Sequence, residues 1–254
     1  MSPLQKPVIA GNWKMFKGPA ETRAFFEQFI ATYEERSDRT IIFFPSAVSI
    51  SSATSAITAR ADLNLGIQNI HWEDQGAFTG EISAVQARDA GARYALVGHS
   101  ERRHVFGETD DEVRQKISAA LRNALTPVIC VGETLTEREA GQVDAVITRQ
   151  LSSALAGIGD DERRFLIAYE PVWAIGTGVT ATPADASEAH AILRNVLVSD
   201  RFADLAVPIL YGGSVKPDNA SELLAAAGVD GLLVGGASLD ASGFARICNT
   251  PQMR

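Results

Sequence analysis

The sequence predicts an α/β fold, a single (β/α)8 barrel over residues 1–254, from three observations. Short apolar, β-branched runs occur eight times along the chain, and segments of helical period with start signals stand between several of them. The repeat is roughly 30 residues with no Ser/Gly-rich linker, as expected of one barrel rather than two domains.

The elements follow in order. VIAG from Val8 is the first run, and Pro19, preorganised for a first helical turn, precedes ETRAFFEQFIATYEER. IIFF from Ile41, LNLGI from Leu63 and YALVG from Tyr94 are the next three runs. Asp110 then precedes DEVRQKISAALRNAL, followed by PVICV from Pro127 and FLIAY from Phe165. Pro183 precedes ADASEAHAILRNVL, PILYGG starts at Pro208, Pro217 precedes DNASELLAAAG, and GLLVGG starts at Gly231. The runs lack polar alternation, which suits parallel strands covered on both faces. An open doubly wound sheet is the alternative, but no G-x-G-x-x-G follows the first run, where a dinucleotide site would need it.

Composition bounds the function. Hydrophobic residues make up 46% and charged residues 21%, ordinary globular usage with ample side chain for a large core. The net charge of −8 argues against a nucleic-acid or anionic-membrane partner, since both need a positive field. No apolar run approaches the length of about 18 residues that spans a bilayer, and the N-terminus lacks a signal-like stretch. Cys130 and Cys248 have no metal-site spacing, and Cys130 lies in a run expected to be buried. A soluble protein of a reducing, cytoplasmic setting is expected.

In a barrel the chemistry sits just beyond the carboxyl ends of the strands, which narrows the search. Asn12-Trp13-Lys14 follows the first run, Gly98-His99-Ser100-Glu101-Arg102-Arg103 the fourth, and Glu170 the sixth. Taken singly, Lys14 reads as a solvated charge, His99 as a satisfied core histidine and Glu170 as the partner of a core arginine. Together they supply what removal of a proton beside a carbonyl requires: a base, and stabilisation of the enediolate oxygen. Glu170 ends an apolar strand, where desolvation is expected to raise its pKa; a helix start after His99 would favour the neutral imidazole. Lys14 adds positive charge where an oxyanion and a phosphate would lie.

Two glycine-rich turns, Tyr211-Gly212-Gly213-Ser214 and Gly235-Gly236, follow the last two runs. Such turns are commonly backbone geometry alone, but in this fold amides at these places often hold a phosphate. Pro171 to Gly178 has rigid residues first and glycines at 176 and 178, a composition suited to a swinging lid, although an ordinary βα loop is the plainer reading.

NWK at 12–14, GHSERR at 98–103, AYEPVWAIGTG at 168–178, YGGSV at 211–215 and VGGASL at 234–239 resemble the triosephosphate isomerase family, in order over the whole chain. That enzyme is a standard example of a Glu base, a neutral His electrophile and loop closure. The resemblance implies a cofactor-independent, metal-free enzyme that interconverts dihydroxyacetone phosphate and D-glyceraldehyde 3-phosphate through an enediolate, in glycolysis and gluconeogenesis. It implies Glu170 as base, His99 as electrophile, and Lys14 and Asn12 as electrostatic and hydrogen-bonding partners, with Glu101 supporting Lys14. Amides of Gly176, Ser214, Gly235 and Gly236 would hold the phosphate. It also implies a homodimer, with Gly76–Glu81 as the interdigitating loop and Gln68 and Asn69 near that interface.

Two positions depart from the family's pattern. Val179 follows Gly178 where the far lid hinge often begins with lysine, and Phe16 stands where a small polar residue is common. Two other functions fit the same scaffold: an aldolase using Lys14 as Schiff-base nucleophile, and a non-catalytic binding protein, for which loss of one catalytic residue type would be expected.

Overall fold

The computed structural model describes residues 4–160, 162–175 and 180–251. Its strands are β1 (Val8–Asn12), β2 (Thr40–Phe44), β3 (Leu63–Ile67), β4 (Tyr94–Val97), β5 (Thr126–Val131), β6 (Leu166–Tyr169), β7 (Ile209–Tyr211) and β8 (Gly231–Val234). Each pairs in parallel with the next, and β1 closes the ring on β8, with Val8 opposite both Thr40 and Gly231. All eight apolar runs become strands, each beginning within one residue of its expected start.

Around the ring lie α1 (Pro19–Thr32), α2 (Ile50–Ala56), α3 (Ala84–Asp89), α4 (Ser100–Phe106), α5 (Asp110–Arg122), α6 (Leu135–Glu139), α7 (Val143–Leu155), α8 (Pro183–Val198), α9 (Ala220–Ala225) and α10 (Ala241–Cys248). Capping fixes several starts. The Thr109 and Thr182 hydroxyls accept from the amides three residues on, while Glu112 and Asp185 reach back to the cap amides. The helix expected after Pro217 begins at Ala220, because Asn219 folds its side chain back on the Lys216 amide and holds a turn there.

Alternate strand residues divide the apolar core in two. Val8, Ala10, Ile42, Phe44, Leu96, Val128, Cys130, Ala168, Leu210 and Leu233 belong to a cluster that fills the barrel. Ile9, Phe43, Val97, Ile129, Ile167 and Val234 pack against the helices. Burial on both faces is the physical reason the strands read as continuous apolar runs. Both cysteines are free and buried, as expected for Cys130.

Candidate active site

The turn after β1 is built around Trp13. Its ring is fully buried against Phe25, Phe26 and Phe43, and its amide donates to the Phe44 carbonyl at 3.1 Å. Anchoring Trp13 outside the ring leaves Asn12 and Lys14 on the catalytic side. Lys14 adopts φ 51°, a left-handed conformation that costs a non-glycine residue about 1–2 kcal/mol. Both of its backbone groups are held there: its amide donates to Asn12 Oδ1 at 3.0 Å, and its carbonyl accepts from Gln68 Nε2 at 2.8 Å. Gln68 thus ties the β3 end to this turn, while Asn69 accepts from Lys116.

Gly98, at φ 74°, turns the chain out of β4 so that His99 caps α4. His99 Nδ1 accepts from the Glu101 amide at 3.3 Å, so the ring, when neutral, carries its proton on Nε2. Nε2 faces inward, 3.0 Å from Glu170 Oε1 and 3.1 Å from Asn12 Nδ2. Glu101 points the other way and pairs with Lys14 Nζ at 2.6 Å.

Glu170 follows β6 and is almost wholly buried. Its Oε2 accepts from the Ser100 amide at 2.9 Å, and its Oε1 from the Ser100 hydroxyl at 3.2 Å. The backbone behind it is tightly packed: a Cβ on Gly132 would lie 1.7 Å from the Glu170 carbonyl oxygen, so only glycine fits beside this residue. The expected rise in the Glu170 pKa needs correction. Burial does press it upward, but His99 and the Ser100 donors outweigh burial and hold the carboxyl below its ordinary value. Burial likewise presses His99 downward, while the Glu170 carboxylate lifts it above its ordinary value. The two shifts are one interaction seen from both partners, and they belong to the arrangement in which Glu170 rests against His99.

The turns after β7 and β8 complete the cavity. Asn12, Lys14, His99, Glu170 and Ile175 line one side of a cavity of about 380 Å³, and Gly212 to Lys216 with Gly235 to Ala237 line the other. Asn219 pins the Ser214 turn by donating to its carbonyl at 3.0 Å. The Ser238 hydroxyl and amide both donate to the Gly235 carbonyl, orienting the turn after β8. Among the expected site residues, Asn12, Lys14, His99, Glu170, Ser214, Gly235 and Gly236 therefore meet at one cavity, with Glu101 behind Lys14. Gly176 lies outside the described residues, as does Val179. A larger cavity of about 580 Å³ opens at the opposite mouth, but its Arg36, Arg39 and Asp62 are engaged with neighbouring charges or carbonyls. Chemistry, not size, selects the site.

Two residues were not singled out from sequence. Ser100 lies inside the GHSERR segment and holds the Glu170 carboxylate. Glu133, fully buried, accepts from Trp173 Nε1 at 2.7 Å and from the Tyr169 hydroxyl at 3.0 Å. Its only sequence signal is its place just past the fifth run. Among the described residues, no group of three or more His, Cys, Asp or Glu side chains is arranged to hold a metal ion, and no helix is long and apolar enough to cross a membrane.

A closed parallel barrel with a buried carboxylate, an imidazole, an ammonium and glycine-rich turns around one cavity defines an enzyme built to move protons on a small anionic substrate. Comparison with known proteins makes this specific. The sequence matches the triosephosphate isomerase family over residues 7–251. It is 47% identical to the triosephosphate isomerase of Solibacter usitatus, covering 97% of this chain and 100% of that one. It is 48% identical to that of Chloroflexus aurantiacus, over 96% and 98% of the two chains. The crystal structure of triosephosphate isomerase from Bartonella henselae superposes with a TM-score of 0.85 at 42% identity, covering 96% of this chain and 98% of that one. The chain belongs to the triosephosphate isomerase family.

Proposed function

We propose that this protein interconverts dihydroxyacetone phosphate and D-glyceraldehyde 3-phosphate, with Glu170 moving the proton between the two carbons. The observation that carries this reading is the contact of a buried Glu170 carboxylate with His99 Nε2 at the edge of a cavity walled by backbone turns. Glu170 removes a proton from the carbon next to the carbonyl and returns it to the neighbouring carbon. His99, with its proton on Nε2, donates to the oxygen that becomes negative and shuttles a proton between the two oxygens. Asn12 Nδ2 is a second donor beside it, and the Lys14 ammonium stabilises both enediolate and phosphate. The turns at Ser214 and at Gly235 and Gly236 receive the phosphate, which explains how an acidic protein holds an anion without a basic surface. Gly176 is assigned to the same cradle from sequence.

The aldolase reading requires Lys14 Nζ to attack a carbonyl, whereas here Nζ is directed at Glu101 Oε1 at 2.6 Å. Purified protein given dihydroxyacetone phosphate, with glyceraldehyde 3-phosphate read by a coupled dehydrogenase, tests the proposal. Turnover without borohydride-trapped adduct supports it, and trapping of a Lys14 adduct without isomerisation overturns it.

The proposal includes a cytoplasmic homodimer. Phe78 stands 43% exposed on the Gly76–Glu81 loop, resting on the His71 ring at 4.2 Å, with Val85 exposed nearby in the chain and Met15 and Phe16 exposed beyond Lys14. Apolar tips of this kind call for a partner surface. Thr79→Arg, which puts a charge at the loop tip, is expected to give dissociated and poorly active monomer in sedimentation velocity. A fully active wild-type monomer at assay dilution would count against the dimer.

A further inference from the structure

Arg138, on α6, lies outside the substrate cavity, yet three contacts converge on it. Its Nη1 lies 3.3 Å from Glu133 Oε1, its Nη2 pairs with Asp185, and its guanidinium carbon stands 4.5 Å from the centre of the Trp173 ring. Each partner leads towards the site. Glu133 holds Tyr169, the residue before the base, and its carbonyl accepts from the Val172 amide at 3.1 Å. Trp173 stands two residues before Ile175, which lines the cavity. Asp185 closes the capping box of Thr182 at the start of α8, on the far side of residues 176–179.

We propose that Arg138 is a positioning residue for the isomerisation: as counter-ion of the buried Glu133, it fixes the chain on both sides of the Glu170–Ile175 segment. The inference rests on the reading that Glu170 is the base. Glu133 is fully buried, and Oε1 receives all of its donors while Oε2 has no partner among the described residues. A buried carboxylate is costly without a cation beside it, and donors to an ionised acceptor make the stronger hydrogen bonds. The planar guanidinium also does what an ammonium cannot: it lies on the indole face while its two ends reach two different carboxylates. Loss of Arg138 leaves Glu133 unbalanced, so Tyr169 and Trp173 lose their fixed acceptor and Glu170 and Ile175 shift with them.

The test compares Arg138→Met, Arg138→Lys, Glu133→Gln and the double variant Glu133→Gln/Arg138→Met for kcat, KM and thermal midpoint. Arg138→Met is expected to lose about tenfold to a hundredfold in kcat, with KM changing much less, as misplacement of a reacting group by up to about 1 Å does. Arg138→Lys, which keeps the charge but not the plane, falls between. Arg138→Met costs less in the Glu133→Gln background than in wild type, because a neutral amide needs no counter-ion and only the Asp185 and Trp173 contacts remain to be lost. A kcat within twofold of wild type in Arg138→Met, or losses that multiply in the double variant, overturns the proposal. Should Arg138→Met not fold, a wild-type kcat in Arg138→Lys overturns it equally. Glu170→Gln is assayed alongside: if it is inactive while Arg138→Met is fully active, only the positioning role fails, whereas an active Glu170→Gln removes the base assignment itself.

Discussion

Glu170→Gln is expected to lower kcat by about 10²–10⁴-fold, the usual contribution of a general base, while KM moves little. The amide keeps the size of the side chain but has no basic oxygen to accept a carbon-bound proton. Its resting contacts also change in a calculable way. Ser100 N–H offers only a donor, so the amide oxygen must face it, as Oε2 does now at 2.9 Å. The amide nitrogen then faces His99 Nε2, which lies 3.0 Å from Oε1 in the native arrangement. Because Nδ1 accepts from the Glu101 amide, the proton stays on Nε2 and two donors oppose each other in a buried place. That mismatch costs roughly 1–3 kcal/mol of stability unless Glu101 and the ring rearrange. Steady-state kinetics with the coupled assay and a denaturant midpoint measure the two effects separately. Turnover within tenfold of wild type would remove Glu170 from the chemistry, whatever the midpoint does.

What could be read from the sequence divides along physical lines. The strands were legible because a parallel strand buried on both faces has no polar partner to interrupt it, as in Val128 to Val131. Helix α7 was not singled out, although Val146, Ile147, Gln150, Leu151 and Ala154 form its buried stripe, because Gln150 is polar and buried. It is buried for a tertiary reason: Gln150 exchanges hydrogen bonds with the Gly132 backbone at the end of β5. Such long-range satisfaction of a polar side chain leaves no periodic trace. Similarly, the candidate site residues could be picked out by their places at strand ends, and the structure brings Asn12, Lys14, His99 and Glu170 to one cavity. The direction of the Glu170 shift was not, because it depends on Ser100 and His99 approaching from the turn after β4, two strands away around the ring. Burial can be inferred from one strand, but a hydrogen-bond partner has to be seen.

Lys14→Met separates function from stability more sharply than any other substitution in the site. The left-handed strain at Lys14 is a backbone property, held by Asn12 Oδ1 and Gln68 Nε2, and methionine inherits it unchanged. The lost ion pair with Glu101 is partly solvent-exposed on both sides, so its contribution to folding is at most about 1 kcal/mol. Nor is a void created, since the methionine stem follows the same course past Gly235, beside which Lys14 Cε runs. Folding stability should therefore change by less than about 1 kcal/mol. The effect on the reaction is of another size. The ammonium lines the same cavity as His99, Glu170 and the Gly235 turn, so under the proposed reaction its charge would act on the bound anion and on the enediolate. Removing it should raise KM and lower kcat together, with kcat/KM falling by about 10²–10³-fold or more, as for loss of one preorganised electrostatic contact to a developing oxyanion. Added salt should weaken the remaining substrate binding less in the variant than in wild type, because less of that binding is then a long-range attraction. Kinetics at two ionic strengths and a denaturant midpoint decide the matter: a variant with normal kcat/KM and a lowered midpoint would make Lys14 a structural residue and leave the phosphate to the backbone turns alone.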